Sequence, residues 1–193
     1  MKRFVILLAI LIALFSLGMA QAQDEAVLII GHAEATDSLD PARGFTQTTG
    51  VVNKATYETL VTFPDANAGE ILPLLATEWA ISEDGLTYTF TLREGVTFVS
   101  GNAMTSADVV YSLNRLINAD GNPSFLADNI ASVEAPDAGT VAITLTTVDP
   151  SFLTLLANSS FAVTDSATIA ANGGVDGADA ATADAAEEYL NGT

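Results

Sequence analysis

Residues 84–92 read Asp84-Gly85-Leu86-Thr87-Tyr88-Thr89-Phe90-Thr91-Leu92. Large apolar side chains alternate with threonines along this run, and a period of two is typical of a β-strand with one buried face. Asp84-Gly85 is a frequent pair in tight hairpin turns, and Trp79 and Ile81 before it supply a partner strand. The pattern therefore predicts an antiparallel hairpin. Its buried face would carry Leu86, Tyr88, Phe90 and Leu92.

A helix is predicted to begin at Thr105, after a turn at Glu94-Gly95 and a short strand over residues 96–99. Thr105 can cap the free backbone amides, and Asp108 can reach back to it, as in a capping box. Apolar residues then recur at helical spacing: Val109, Val110, Leu113, Leu116 and Ile117. Arg115 lies in the last turn, where a cation favours the helix dipole.

Six short motifs extend this region in both directions. They are Leu39-Asp40-Pro41, Tyr57-Glu58-Thr59-Leu60, Pro73-Leu74-Leu75-Ala76 with Trp79, Asp84 to Phe90, Leu92 to Val96, and Thr105 to Val109. Their order resembles the N-terminal signature of ABC-transporter solute-binding proteins, specifically the peptide/nickel group called family 5. The sequence departs from that pattern at residues 98–101, where the family often has Phe-His-Asp-Gly. It departs again at Ala103-Met104, where a proline is common.

The resemblance implies an α/β fold. It would be the N-terminal part of a two-lobed periplasmic-binding-protein-like fold (type II, cluster C), with mixed β-sheets flanked by helices. Residues 23–44 would form the N-terminal strand and turn of the first lobe, and residues 45–160 a smaller α/β subdomain. Residues 161–193 would return toward the first lobe. Family members are several hundred residues long, so we expect this chain to be an N-terminal fragment.

The resemblance also implies a function. The chain would belong to the extracytoplasmic substrate-binding component of an ABC importer, which captures short peptides or a related small solute and delivers them to a membrane permease. No cofactor and no nucleic-acid partner are expected. The alternative is a secreted structural or adhesive surface domain without a solute ligand.

In this family the ligand cleft borders the end of the first strand and the turn after it. The corresponding residues here are His32, Ala33, Glu34, Ala35 and Thr36. His32 is the only histidine, and a structural role suits it as well as a ligand contact. Glu34 can meet a ligand amine or can remain a solvated carboxylate.

The composition narrows the function classes. The 193 residues carry a formal net charge of −18, with 24 acidic and 6 basic side chains. Such a chain repels nucleic acid and anionic lipid, and it favours either solubility outside the cell or a cationic ligand. There is no cysteine, which excludes disulfides, thiolate metal sites, cysteine nucleophiles and a lipid-anchor cysteine.

Residues 1–22 have the features of a secretory leader. Lys2-Arg3 precedes the apolar run Phe4 to Leu17, and Ala20-Gln21-Ala22 is a cleavage motif. A membrane anchor is the alternative, although the run is short for a span. We expect a cleaved signal peptide and a periplasmic or extracellular location. Removing the two leader cations leaves 4 basic against 24 acidic groups, so the net charge becomes −20.

The apolar run Val27 to Ile30 predicts a strand buried on both faces.

Thr48 to Leu60 is predicted to be helical, with Asn53 facing water. The residues assigned to its core face are Val51, Val52, Ala55, Thr59 and Leu60. A hairpin over residues 131–146 and a helix after Asp149-Pro150 are expected further along the chain.

Chemistry-bearing motifs are absent from the rest of the sequence. Asp176, Asp179 and Asp184 invite a calcium interpretation, but their spacing does not match a calcium loop and the later bidentate Glu is missing. A weak helix over residues 180–190 or a disordered end is expected there, and no metal site. There is no Gly-rich phosphate loop, His-Glu-x-x-His or Gly-x-Ser-x-Gly. We therefore predict no catalytic residues and no enzyme.

Overall fold

The structure is a computed structural model that describes residue 31, residues 33–64 and residues 69–192. The expected leader and the strand expected at residues 27–30 lie outside the described residues. A turn is also expected at residues 65–70, of which residues 65–68 lie outside them. Residues from Ala33 onward form one unit by their contacts. No helix among the described residues is both long and apolar enough to cross a membrane.

A four-stranded antiparallel sheet forms the centre of this unit, with strand order β3-β4-β6-β5. Its strands are β3 (Ala76–Ile81), β4 (Thr87–Leu92), β5 (Ile130–Asp137) and β6 (Thr140–Leu145). A separate two-stranded ribbon pairs β1 (Val61–Thr62) with β2 (Leu72–Pro73).

The predicted hairpin is confirmed. In β4, Tyr88, Phe90 and Leu92 are buried, and the intervening Thr89 and Thr91 are exposed. Phe90 pairs with Trp79 on β3 and with Val141 on β6. Burying one face of β4 while exposing the other is the direct consequence of its period-two pattern.

The helices described are α1 (Gln47–Thr56), α2 (Ser106–Asn118), α3 (Phe152–Leu156), α4 (Ser166–Ala171), α5 (Ala180–Ala183) and α6 (Ala186–Leu190), with 3-10 turns at Ser124–Ala127 and Ser159–Phe161. Helix α2 packs against β5 and β6. It buries Val109, Leu113 and Leu116 in the same core as Phe90. The predicted start of α2 is confirmed, and a capping box joins Thr105 and Asp108.

The helix predicted over residues 48–60 was wrong in length and in phase. Helix α1 ends at Thr56, and Tyr57 is extended. Val51 is 51% exposed and Ala55 is also exposed, whereas Thr49 and Asn53 are buried. The buried side of α1 is polar, and Thr49 is satisfied there by donating its hydroxyl to the Asp37 carboxylate and to the Ser38 carbonyl.

Two further expectations need correction. The short strand expected over residues 96–99 is reduced to a single bridge between Thr97 and Ala103. Gly95 and Gly101 both have positive φ and bend the chain on either side of it. The weak helix expected over residues 180–190 is split into α5 and α6 at Asp184, whose carboxylate accepts a hydrogen bond from the backbone of Ala186.

Candidate ligand-binding site

The predicted cleft residues lie across the start of α1. Ala33, Glu34, Ala35 and Thr36 are all exposed, and His32 lies outside the described residues. Glu34 accepts a hydrogen bond from the backbone of Gln47 at 3.1 Å and, through its carbonyl, from the Thr48 hydroxyl at 3.2 Å. A carboxylate is electrostatically favoured at a helix N-terminus. Glu34 is therefore held against α1 rather than simply solvated.

Asp37, which directly follows the predicted segment, organises the loops around it. Its carboxylate accepts hydrogen bonds from the backbone of Phe45 at 2.9 Å and from the side chain of Asn122 at 3.1 Å. The Thr49 hydroxyl and the Ser38 backbone donate to it as well. Partial burial would raise the pKa of Asp37, but these hydrogen bonds outweigh burial and hold the pKa well below its usual range.

The two loops joined by Asp37 carry a pair of exposed aromatic rings. Phe45 is 43% exposed and Phe125 is 56% exposed. Their ring centroids are 5.4 Å apart and their planes are at 84°, which is an edge-to-face contact. Two exposed rings in contact offer a candidate surface for the apolar parts of a ligand.

A cleft of about 230 Å³ adjoins Phe45 at the start of α1. Its lining is small and polar, and comprises Gly44, Phe45, Thr46, Gln47, Gly50, Asn158, Ser159 and Ser160. A Cβ on Gly44 would come to 2.2 Å from the Ser38 carbonyl oxygen, so no larger residue fits there. Because residue 44 has no side chain, its backbone can lie close to the Ser38 carbonyl at the point where the chain enters the cleft.

This arrangement suits binding rather than catalysis. The cleft presents an aromatic ring, hydroxyls, side-chain amides and backbone groups, and these are groups that orient a small polar ligand. Within the described ranges, no three His, Cys, Asp or Glu side chains are grouped to hold a metal ion. Asp176, Asp179 and Asp184 accordingly form no such group.

A larger cavity of about 490 Å³ lies at the opposite end of α1. Its lining includes Tyr57, Phe98, Met104 and Ile169 and is mainly apolar. The Asp165 carboxylate at its edge accepts hydrogen bonds from Ser100, Asn102 and Thr168. Burial opposes ionisation of Asp165, but these bonds lower its pKa to about 2. None of the described residues 33–36 lines this cavity, whereas the cleft at Phe45 is lined by Gln47, whose backbone donates to Glu34.

Arg115 lies in a buried ionic cluster, a role that its position in the last turn of α2 does not predict. Its guanidinium donates to Asp40 at 3.1 and 2.6 Å and to Asp184 at 2.8 and 2.5 Å. The Arg115 side chain is 2% exposed and both carboxylates are fully buried. Asp40 belongs to the Leu39-Asp40-Pro41 motif, so Arg115 links that motif to the last described helices.

The sequence of this chain matches a known family of proteins. The sequence model of "Bacterial extracellular solute-binding proteins, family 5 Middle" matches residues 70–191. The chain is 31% identical over 135 residues to the probable D,D-dipeptide-binding periplasmic protein DdpA of Escherichia coli K12, covering 68% of this chain and 26% of that protein. It is 35% identical over 141 residues to the glutathione-binding protein GsiB of Salmonella typhi, covering 72% of this chain and 27% of that protein.

Solved structures agree with the sequence comparison. The Escherichia coli murein tripeptide binding protein MppA superposes with a TM-score of 0.62 at 30% identity, covering 72% of this chain and 30% of that one. The α/β fold expected from the resemblance is therefore confirmed. The chain spans about a quarter of the length of the curated relatives it matches. It belongs to the bacterial extracellular solute-binding proteins of family 5.

Proposed function

We propose that this chain is part of the substrate-binding component of an ABC importer, and that it captures short peptides or a related small solute. The observation that carries the proposal is the exposed Phe45–Phe125 pair, held by Asp37 beside the segment of residues 33–36. Relatives named for D,D-dipeptides, glutathione and a murein tripeptide support a peptide-like ligand. An ABC permease at the membrane would be the macromolecular partner.

In this proposal, residues 33–36 would form one wall of the binding surface, Phe45 would line it, and Phe125 would extend its aromatic part. A peptide offers the same main-chain donors and acceptors at every residue, so backbone contacts would tolerate varied side chains. The aromatic rings would cover apolar parts of the ligand, and Glu34 would attract its amino group. Catalysis has no part in the proposal, because the surface needs only to hold and release the solute.

The lobe assignment is also part of the proposal. Residues 23–44 and 161–193 would belong to the first lobe, and residues 45–160 would form the smaller subdomain beside it. A second lobe would close over the ligand by a hinge motion. The protein would act in the periplasm or outside the cell, with its leader cleaved after Ala22. Sequencing the N-terminus of the exported protein should then give Gln23 as the first residue.

Calorimetric titration with a pool of di- to pentapeptides tests the function. The full-length protein is here the longer protein of which this chain would be the N-terminal part. It should bind with micromolar or tighter affinity, which corresponds to a binding free energy of roughly −8 kcal/mol. Residues 23–193 alone should bind far more weakly, because closure cannot contribute when the closing partner is missing. A full-length protein that binds no peptide would favour the surface-domain alternative. Equal affinity of the two proteins would contradict the two-lobe proposal.

A further inference from the structure

The buried ionic cluster around Arg115 is connected to the turn that leads into Phe45. Besides its contacts with Arg115, the Asp40 carboxylate accepts a hydrogen bond from the backbone of Ala42 at 2.9 Å. The Asp40 carbonyl accepts from the backbones of Arg43 and Gly44 at 3.0 and 2.9 Å. Asp40 thus folds residues 40–44 into the turn that delivers Phe45 to the surface.

The same turn is held on its other side by the last described helices. Arg43 donates to the Asp184 carbonyl at 3.3 Å, and the Asn191 side chain accepts from the backbone of Leu39 at 2.6 Å. One terminal nitrogen of Arg115 contacts a carboxylate oxygen of Asp40 and of Asp184 at 2.6 and 2.5 Å. The guanidinium therefore joins the turn to the C-terminal helices, together with the contacts of Arg43 and Asn191.

We propose that Arg115 is a positioning residue for the ligand site: by holding Asp40 and Asp184 together, it sets the turn of residues 40–44 that places Phe45 against Phe125. Arg115 does not itself reach the exposed surface. It acts through Asp40 and the backbone of the turn. The consequence for affinity rests on the proposed function, whereas the consequence for the two rings does not.

The physical basis is the loss of the close ion pairs that Arg115 makes with two buried carboxylates. Arg43 would remain as the nearest cation, at 4.0 Å from Asp40 and 3.8 Å from Asp184, but it makes no hydrogen bond to either carboxylate at these distances. Breaking a buried ion pair from one side is strongly unfavourable. The carboxylates would move apart or take up a proton, and the turn built on Asp40 would move with them. Lysine keeps the charge but lacks the planar fork that contacts two carboxylates at once. Arg115→Lys should therefore restore the arrangement only in part.

Fluorine NMR of protein labelled with 4-fluorophenylalanine measures the ring arrangement directly. Phe45→Leu and Phe125→Leu assign the two resonances, and Phe125→Leu also gives the Phe45 position without its partner ring. In Arg115→Met, the Phe45 resonance should move from its wild-type position to the one it has in Phe125→Leu. Peptide affinity of the full-length protein should fall about tenfold, within the coupling expected inside one network.

Arg93→Met is the matched control. Arg93 is exposed, donates two hydrogen bonds to the Leu74 carbonyl and lies outside this cluster. It should leave both the Phe45 resonance and the affinity at wild-type values. Circular dichroism at low temperature verifies that each variant is folded, since a purely stabilising role for Arg115 would lower only the melting temperature.

The outcomes separate cleanly. A folded Arg115→Met protein with an unmoved Phe45 resonance and unchanged affinity overturns the proposal. If Arg115→Met does not fold, Arg115→Lys decides: intermediate shifts in resonance and affinity support positioning, and wild-type values for both overturn it. If even the wild-type protein binds no peptide, the proposed function fails, and the Phe45 resonance alone still decides the role of Arg115.

Discussion

The Asp108 carboxylate accepts two hydrogen bonds from Ser166, which follows it by 58 positions in the chain: one from the hydroxyl at 2.6 Å and one from the backbone at 3.1 Å. Its other oxygen accepts from the backbone of Thr105 at 2.8 Å. Asp108 therefore caps α2 and also fixes the start of α4 against it. The same side chain therefore makes both a local capping contact and a long-range contact.

Asp108→Ala should destabilise the protein more than Thr105→Ala. Thr105→Ala removes a helix cap, which costs about 0.5–2 kcal/mol. Asp108→Ala also leaves the Ser166 amide and hydroxyl without their acceptor, and hydrogen bonds to charged groups contribute about 1.5–3 kcal/mol each. Urea unfolding measured by circular dichroism gives both free energies. A smaller loss for Asp108→Ala than for Thr105→Ala would show that the contact with Ser166 contributes nothing.

Phe90→Ala tests the central sheet. Phe90 is fully buried between β3 and β6, so truncation should cost about 3–5 kcal/mol of unfolding free energy. Thr89→Ala, one residue earlier on the exposed face, is the matched control and should cost far less. The midpoints of denaturant melts report both values. Similar losses for the two variants would mean that the alternation along β4 does not reflect burial.

The hydrogen bonds to Asp37 predict a pH dependence. Its pKa in the folded protein lies below the ordinary value of 3.8, so ionised Asp37 stabilises the fold above that pH. The contribution is lost as the pH falls through the lower, folded-state value. Asp37→Asn should therefore be less stable than wild type at pH 7, and the difference should shrink below about pH 4.

Thermal melts of Asp37→Asn between pH 7 and pH 2.5 check this expectation. Asp128→Asn, which changes an exposed carboxylate close to Phe125 in the chain, is the control and should follow the wild-type profile. A constant difference between Asp37→Asn and wild type across the whole range would show that ionisation of Asp37 does not stabilise the fold.

Local patterns were sufficient to predict the elements that depend on neighbouring residues. The alternation around Phe90 gives a strand in any context that buries one face, and Thr105 with Asp108 gives a helix start from within one turn. The buried face predicted for α1 was wrong because it depends on contacts with residues outside the helix. Asn53 and Thr49 are buried because of contacts that a helical pattern does not encode, such as the bond from Thr49 to Asp37.

The candidate site was predictable only in outline. The resemblance pointed to residues 32–36, and whether these residues contact a ligand remains a prediction. The role of Asp37 could not be predicted, because nothing in its immediate sequence shows that it will meet Asn122. The Phe45–Phe125 pair could not be found from spacing, since it depends on how two distant loops pack. The one local feature that points to this pair is the position of Phe45 directly after Arg43-Gly44.

The buried cluster illustrates the same limit. Arg115 was read as a cation at a helix end, which is where it lies. Its partner Asp184 is 69 positions away in the chain and stood among acidic residues that resemble a solvated surface. Sequence alone gave no reason to pair one aspartate of that group with an arginine on α2.

The central claim is that the ligand contacts the surface formed by Phe45 and Phe125. The most direct measurement is the calorimetric affinity of the full-length protein for its best peptide, before and after the double change Phe45→Ser and Phe125→Ser. Ile81→Ser, which removes a similarly exposed apolar side chain at the end of β3, is the matched control. We expect the double variant to bind at least about tenfold more weakly, as for truncated aromatic anchors, and the control to bind like wild type. Equal affinities for all three proteins would contradict the assignment of the site to this surface.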